Sequence, residues 1–398
     1  MMLFSLLGAL LGAACSLSSP GSSTDESIHK VKVFVLAGQS NMEGKGYPEP
    51  VAWQITQKEY RERYTHFIKD GDYDSFTRTL QASLAANPNE PVYDWSVRED
   101  VWVKYLGQHG NLTVGYAAPS KCFGPEYEFG HVMGDHFEDQ VLLIKTAWGG
   151  KSLGKDFLPP SAKQPSDDEF AAMVQARNEQ IAKENDRNRS KHVEQGRAGE
   201  FKPRPDITDE EVRGGYGHYY RAMIQDVKQT RADLPTLFPG YQGQGAEIVG
   251  LVWFQGWNDQ FNDSWCDNYG ANMACFIRDV RKDLDAPDMR AVIGVVGFDG
   301  PNDKPLDGNG NETARTKIKR GQAAMQVRFQ GSVRSVTTAE FWDMEADAIF
   351  RGPGGWSKDP DRWREHGNDF PYHYYGSPWF FSQAGEAFGK AMVELVKD

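Results

Sequence analysis

Five short runs along the chain are rich in β-branched residues: VKVFVLA (31–37), QVLLIKTA (140–147), AEIVGLVWF (246–254), RAVIGVVG (290–297) and SVRSVTTAE (332–340). Runs of this length, rich in β-branched residues and not alternating, read as strands covered on both faces. Apolar positions recurring every three to four residues predict helices near 128–137, 216–234, 273–284 and 379–396. Strand alternating with helix predicts an α/β fold of three layers, a mainly parallel central sheet between helices. Two stretches break the pattern and read as insertions. Residues 45–122 mix a charged helical segment with Trp-rich loops, and residues 155–213 are highly charged with sparse apolar positions, as expected of an exposed helical excursion. The segment 299–314, DGPNDKPLDGNGNETA, is turn-rich.

The N-terminal run MMLFSLLGALLGAAC has the length of a signal peptide and is too short to span a bilayer. Residues 1–15 are therefore expected to be a leader that directs the protein to the exterior or periplasm. Cys15 after Gly12, Ala13 and Ala14 loosely resembles a lipoprotein cleavage site, which would leave a lipid anchor on Cys15. Residues 16–29 have the Ser, Gly and Pro content of a flexible tether. Residues 30–398 are then expected to form one catalytic domain, since 398 residues with 39% hydrophobic content can bury a large core.

A formal net charge of −12 excludes the basic footprint of a nucleic-acid-binding protein. The four cysteines cannot build a dense disulfide framework. Cys266 and Cys275 are either bridged or free. No CxxC pair and no HExxH occur, so neither a metal nor a cofactor is implied.

The chemistry gathers where strands end. The first run leaves through Gly38 and Gln39 and presents Ser40 before a helix, a place that exposes a hydroxyl at the sheet edge and puts its N–H at a helix start. A serine there also serves as a plain helix cap. The second run ends in AWGGKSL, where Gly149 and Gly150 let backbone approach a ligand or simply make a tight turn. The third ends in WFQGWND, with Asn258 placed either to donate its amide into the same pocket or to bond a turn. NDFPYHYYGS puts His373 in a loop before the last helix. Each feature has a structural explanation alone. Four of them at successive strand ends and before the final helix point to one site.

The block VFVLAGQSNMEG, FGPE at 123–126, AWGGKSL, WFQGWND and the late histidine together resemble the SGNH (GDSL-type) hydrolase superfamily, in its sialate O-acetylesterase-like branch, carbohydrate esterase family six. The likeness spans the chain after the leader apart from the insertions, and GQSNM is its most specific part. It implies a flavodoxin-like fold and a serine esterase that works without cofactor through an acyl-enzyme. It implies Ser40 as nucleophile, His373 as base and an oxyanion hole of the Ser40 N–H, an N–H at Gly149 or Gly150, and the Asn258 amide. The superfamily's acid stands three residues before its histidine, where this chain has Phe370. Asp369, one residue further, is the nearest acid; Glu365, Asp343, a backbone carbonyl or a dyad without acid are the alternatives.

Gln39, Glu126, Gln255 and Trp257 lie in the same blocks as candidate substrate contacts, with structural support as the competing role for Glu126 and Gln255. Trp148, Trp253 and Trp257 suit a subsite wall as well as the core. The implied substrate is an acetylated oligo- or polysaccharide. Two other readings remain open: an esterase for a non-carbohydrate ester, and an inactive carbohydrate-binding relative. Substrate chain-length series separate the first, and serine-probe labelling the second.

Overall fold

The structure, a computed structural model, describes residues 29–87, 91–196 and 199–397. The leader, Cys15 and all but the last residue of the tether lie outside the described residues. A seven-stranded sheet forms the centre, made of β1 (Val31–Gly38), β2 (Arg98–Tyr105), β3 (Gln108–Leu112), β4 (Val141–Ala147), β5 (Ala246–Phe254), β6 (Arg290–Val295) and β7 (Val333–Thr337). Their order is β3-β2-β4-β1-β5-β6-β7, and every pairing is parallel except β2 with β3. The α/β fold with a mainly parallel sheet expected from the pattern is the one observed.

Neighbouring residues of β5 show why the second half of its run is free of polar side chains. Trp253 packs on Phe276 of the helix Asp263–Asp283, with centroids 4.5 Å apart, while Phe254 packs on Phe388 of the helix Pro378–Val396 at 5.4 Å. Successive side chains point to opposite faces, so with helices on both sides the stretch 250–254 is buried at every position. Phe34 of β1 likewise sits edge-on against Phe129 of the helix Pro125–His136.

The interval 45–122 departs from the expected excursion of helix and loop. It carries β2 and β3, and β2 pairs with β4 along Val101–Tyr105. β3 (QHGNL) is a polar edge strand bonded on one side only, so no apolar run announces it. The second interval does hold an exposed helix, Asp167–Glu194, closed by a Ser166–Glu169 capping box and burying only Phe170 and Ile181.

Cys266 and Cys275 are both free. They stand nine residues apart on one helix, about 2.5 turns, and so face opposite sides of it. The Cys266 thiol donates to the Asp259 carbonyl at 3.1 Å. No helix among the described residues is long and apolar enough to cross a membrane.

Candidate active site

β1 lies between β4 and β5, and the chain passes from one side of it to the other. Such a reversal opens a crevice at the carboxyl ends of the strands. Ser40 follows β1, Gly149 and Gly150 follow β4, and Asn258 follows β5, so three of the expected groups meet at this crevice.

The exit of β1 requires a glycine. A Cβ on Gly38 would stand 2.2 Å from the Phe254 carbonyl oxygen. That closeness lets the chain turn at once into the helix Ser40–Glu43 while Gln39 N–H still donates to Phe254 O at 3.3 Å. Ser40, 7% exposed, is the first helical residue, so its N–H has no acceptor within the helix. With four residues the helix contributes little dipole, and the free N–H is what it offers.

Gln39 fastens this turn to the next. Its Oε1 accepts from the N–H groups of Gly256 and Trp257 at 3.1 and 3.0 Å and from Gln255 Nε2 at 3.2 Å. Gln255 Nε2 also donates to Lys151 O and to Asp259 Oδ2, at 2.9 and 2.6 Å. Glu126, fully buried, accepts from Lys145 Nζ at 2.7 Å and from Gly124 N–H at 2.8 Å. Burial pushes the Glu126 carboxyl up and the Lys145 ammonium down, each opposed by the other's charge. Gln39, Glu126 and Gln255 thus spend these polar groups inside the protein, a supporting place rather than a substrate contact. Trp257 is half-buried at the rim, edge-on to Phe298 at 4.6 Å.

The two glycines after β4 separate. The Gly149 N–H is already donated to Glu43 Oε1 at 2.8 Å, so of the two glycine amides this one is spent inside the protein. Gly150 takes a left-handed φ of +70°, and its carbonyl accepts from Asn258 Nδ2. An amide nitrogen carries two hydrogens, so that bond orients Asn258 and leaves one N–H unspent.

His373 Nδ1 lies 3.0 Å from Asp369 Oδ2. Among the alternative acids, Asp343 is committed to Ser377 Oγ and to capping the helix Met344–Arg351 at Ala346 N–H. The histidine loop is fixed to the serine helix by Asn41 Nδ2, which donates to Tyr372 O at 3.1 Å.

Three residues inside the motifs escaped the sequence reading: Asn41, Glu43 and Asp259. Asp259 is fully buried and accepts from Leu153 N–H, Gly154 N–H and Gln255, tying the β4 loop to the β5 loop; burial raises its carboxyl to about 6. Their signal is present in the motifs, Asn41 and Glu43 within GQSNMEG and Asp259 directly after Asn258, but the sequence does not encode which distant group each one bonds.

A protein of Arabidopsis thaliana is 13% identical over 92% of this chain and 98% of its own, with a TM-score of 0.46. A carbohydrate acetylesterase of Xanthomonas citri is 10% identical over 77% of this chain and 49% of its own, at 0.38. NanS is 13% identical over 93% of this chain and 97% of its own, at 0.40. No curated protein matches the chain significantly. A family described as carbohydrate esterase, sialic acid-specific acetylesterase, matches residues 30–190 and 207–340, segments that hold Ser40, Gly149, Gly150 and Asn258 and stop short of Asp369 and His373. Those segments span most of the chain, which belongs to this family of carbohydrate esterases, hydrolases of carboxylic ester bonds.

Proposed function

We propose that the protein removes O-acetyl groups from acetylated carbohydrate by a serine mechanism, with Ser40 as nucleophile. The observation that carries this reading is the meeting of Ser40, Gly150 and Asn258 at the switch point of the sheet, with the His373–Asp369 pair held to the serine helix through Asn41. Ser40 Oγ attacks the acetyl carbon as His373 Nε2 takes its proton. Asp369 accepts from Nδ1–H, which fixes the tautomer with Nε2 bare and steadies the imidazolium that forms. The oxyanion is received by the N–H groups of Ser40 and Gly150 and the free N–H of Asn258. His373 then protonates the departing sugar alkoxide, leaving acetyl-Ser40, and water activated by the same histidine releases acetate.

Sialic acids are one candidate substrate class, through the family description, beside other acetylated sugars. Export belongs to the same proposal and is carried by the apolar N-terminal run, with attachment through Cys15 as its variant. A fluorophosphonate probe tests the mechanism: it should label the wild-type protein and not Ser40→Ala, while acetate release from acetylated sugar disappears with the labelling. Equal labelling of both proteins removes Ser40 from the mechanism.

A further inference from the structure

Beside the histidine loop the surface carries large aromatic rings that the core does not take in. Trp356, Phe370 and Tyr372 are 42%, 47% and 36% exposed. They form a line with the site. Trp257 at the crevice rim lies 5.7 Å from Tyr372, and Tyr372 stacks almost parallel on Phe370 at 5.6 Å and 12°. Phe370 and Trp356 then line a cleft of about 330 Å³, whose lining also includes Asp369, the partner of His373. Tyr372 itself meets the His373 ring edge-on at 4.5 Å.

Exposed rings cost solvent contact and need a reason when they cluster. From this placement we infer that Tyr372, Phe370 and Trp356 form a sugar-binding platform running away from the catalytic histidine, on which a neutral glycan chain lies while one of its acetyl esters reaches Ser40. The inference rests on the reading of Ser40 as nucleophile given above. Flat aromatic faces match the C–H face of a pyranose ring. Asn368 adds an amide for hydroxyl groups at the same cleft. The charges there favour a neutral ring over a carboxylate-bearing one. Arg364 is the cation of the lining and is paired with Asp361 at 2.8 Å, and Asp369 adds negative charge. The cleft therefore points to oligosaccharides of several neutral units, rather than a single sialic acid, as the ligand of this surface.

Binding to the Ser40→Ala protein tests the platform without turnover. Partially acetylated cello-oligosaccharides of one to six units serve as the probe, with free N-acetylneuraminic acid as competitor. Affinity should rise by about tenfold from one unit to the longer chains, as stacking on two or three rings supplies, and Trp356→Ala in the same background should remove most of that rise while Trp356→Tyr keeps it. In the active protein, Trp356→Ala should lower the ratio of kcat/KM on the long chain to that on p-nitrophenyl acetate by about fivefold, through KM. Affinity independent of chain length, displacement of the long chain by the sialic acid at equal concentration, or an unchanged ratio overturns the platform. If the wild type hydrolyses no acetylated sugar, the proposed function falls, and the binding series alone still decides whether the surface holds glycan.

Discussion

Asp369 reaches the His373 imidazole at 3.0 Å although it stands four residues before it in the chain. The intervening residues turn back on themselves, His373 N–H donating to Phe370 O at 2.9 Å, and the chain beyond closes the loop. Tyr374 and Tyr375 take left-handed φ values of +50° and +61°, and the N–H groups of Asn368 and Asp369 both donate to Tyr375 O. This closed loop brings the carboxylate back to the Nδ1 edge of the ring. Asp369 Oδ1 also accepts from Phe370 N–H at 2.7 Å, so the carboxylate is held on both oxygens.

The first prediction follows from that contact. Asp369→Asn keeps the size of the side chain but lets the imidazole settle in the wrong tautomer, so kcat should fall by about 10²- to 10⁴-fold, with KM for an acetyl ester little changed. Steady-state kinetics on a purified, folded variant checks it. A kcat within twofold of wild type assigns the orienting role elsewhere.

The second concerns Asn258 as the proposed oxyanion donor. Asn258 gives one hydrogen to Gly150 O and has another to offer. Asn258→Ala should therefore fold with a normal melting temperature and lose about 10²- to 10³-fold in kcat, the loss typical of one such donor. If the turnover is retained, Asn258 serves only the Gly150 turn.

The third concerns stability. Glu126 and Lys145 form an ion pair with side chains 1% and 0% exposed, and Lys145 Nζ donates besides to the carbonyls of Glu43 and Tyr116, each at 2.6 Å. Removing Glu126 leaves the buried Lys145 without a countercharge, at a cost of about 3 to 5 kcal/mol. Glu126→Ala should melt well below wild type, and the specific activity of the fraction that folds should stay near normal. A melting temperature unchanged by the substitution excludes the pair as a support.

The parts of the fold written in apolar runs were readable, and the parts written in edges were not. β5 is legible because Trp253 and Phe254 each have a helix to face, so the run is apolar but for Glu247, whose carboxylate pairs with Lys32. β3 pairs on one side and can be QHGNL. β2 begins Arg98, Glu99, Asp100, and these charges conceal the buried half that follows. The helix Ala314–Arg328 buries only Ile318, Gly321, Gln322 and Met325, too thin a stripe to stand out. At the site, the places of Ser40 and Asn258 after their strands and of His373 before the last helix were legible, because the apolar runs mark where strands end; their roles in catalysis are the proposal made above. Which glycine amide is spent on Glu43 depends on a contact across 106 residues, which spacing along the chain does not encode.

The last prediction uses Asp259, which holds the loops of β4 and β5 together. Its carboxyl is raised from 3.8 to about 6, burial outweighing the three N–H groups it accepts. The unfolded chain thus loses this proton first as pH rises, and between about 4 and 6 the folded form holds more protons. The stability contributed by this group is accordingly fully present below pH 4 and declines as pH rises through 6, by about 3 kcal/mol in all. Other carboxylates move the opposite way, so the comparison is with Asp259→Asn, which no longer titrates. The amide turns an NH₂ toward N–H donors and should destabilise the protein by about 1 to 3 kcal/mol at neutral pH, with a lowered kcat because the loops bearing Gly150 and Asn258 come apart. Denaturant titrations of both proteins from pH 4 to 8 should show the wild-type advantage shrinking up to about pH 6 and constant beyond. An advantage that grows over that interval means the folded carboxyl is stabilised in its charged form, and the loops are then fastened by its charge.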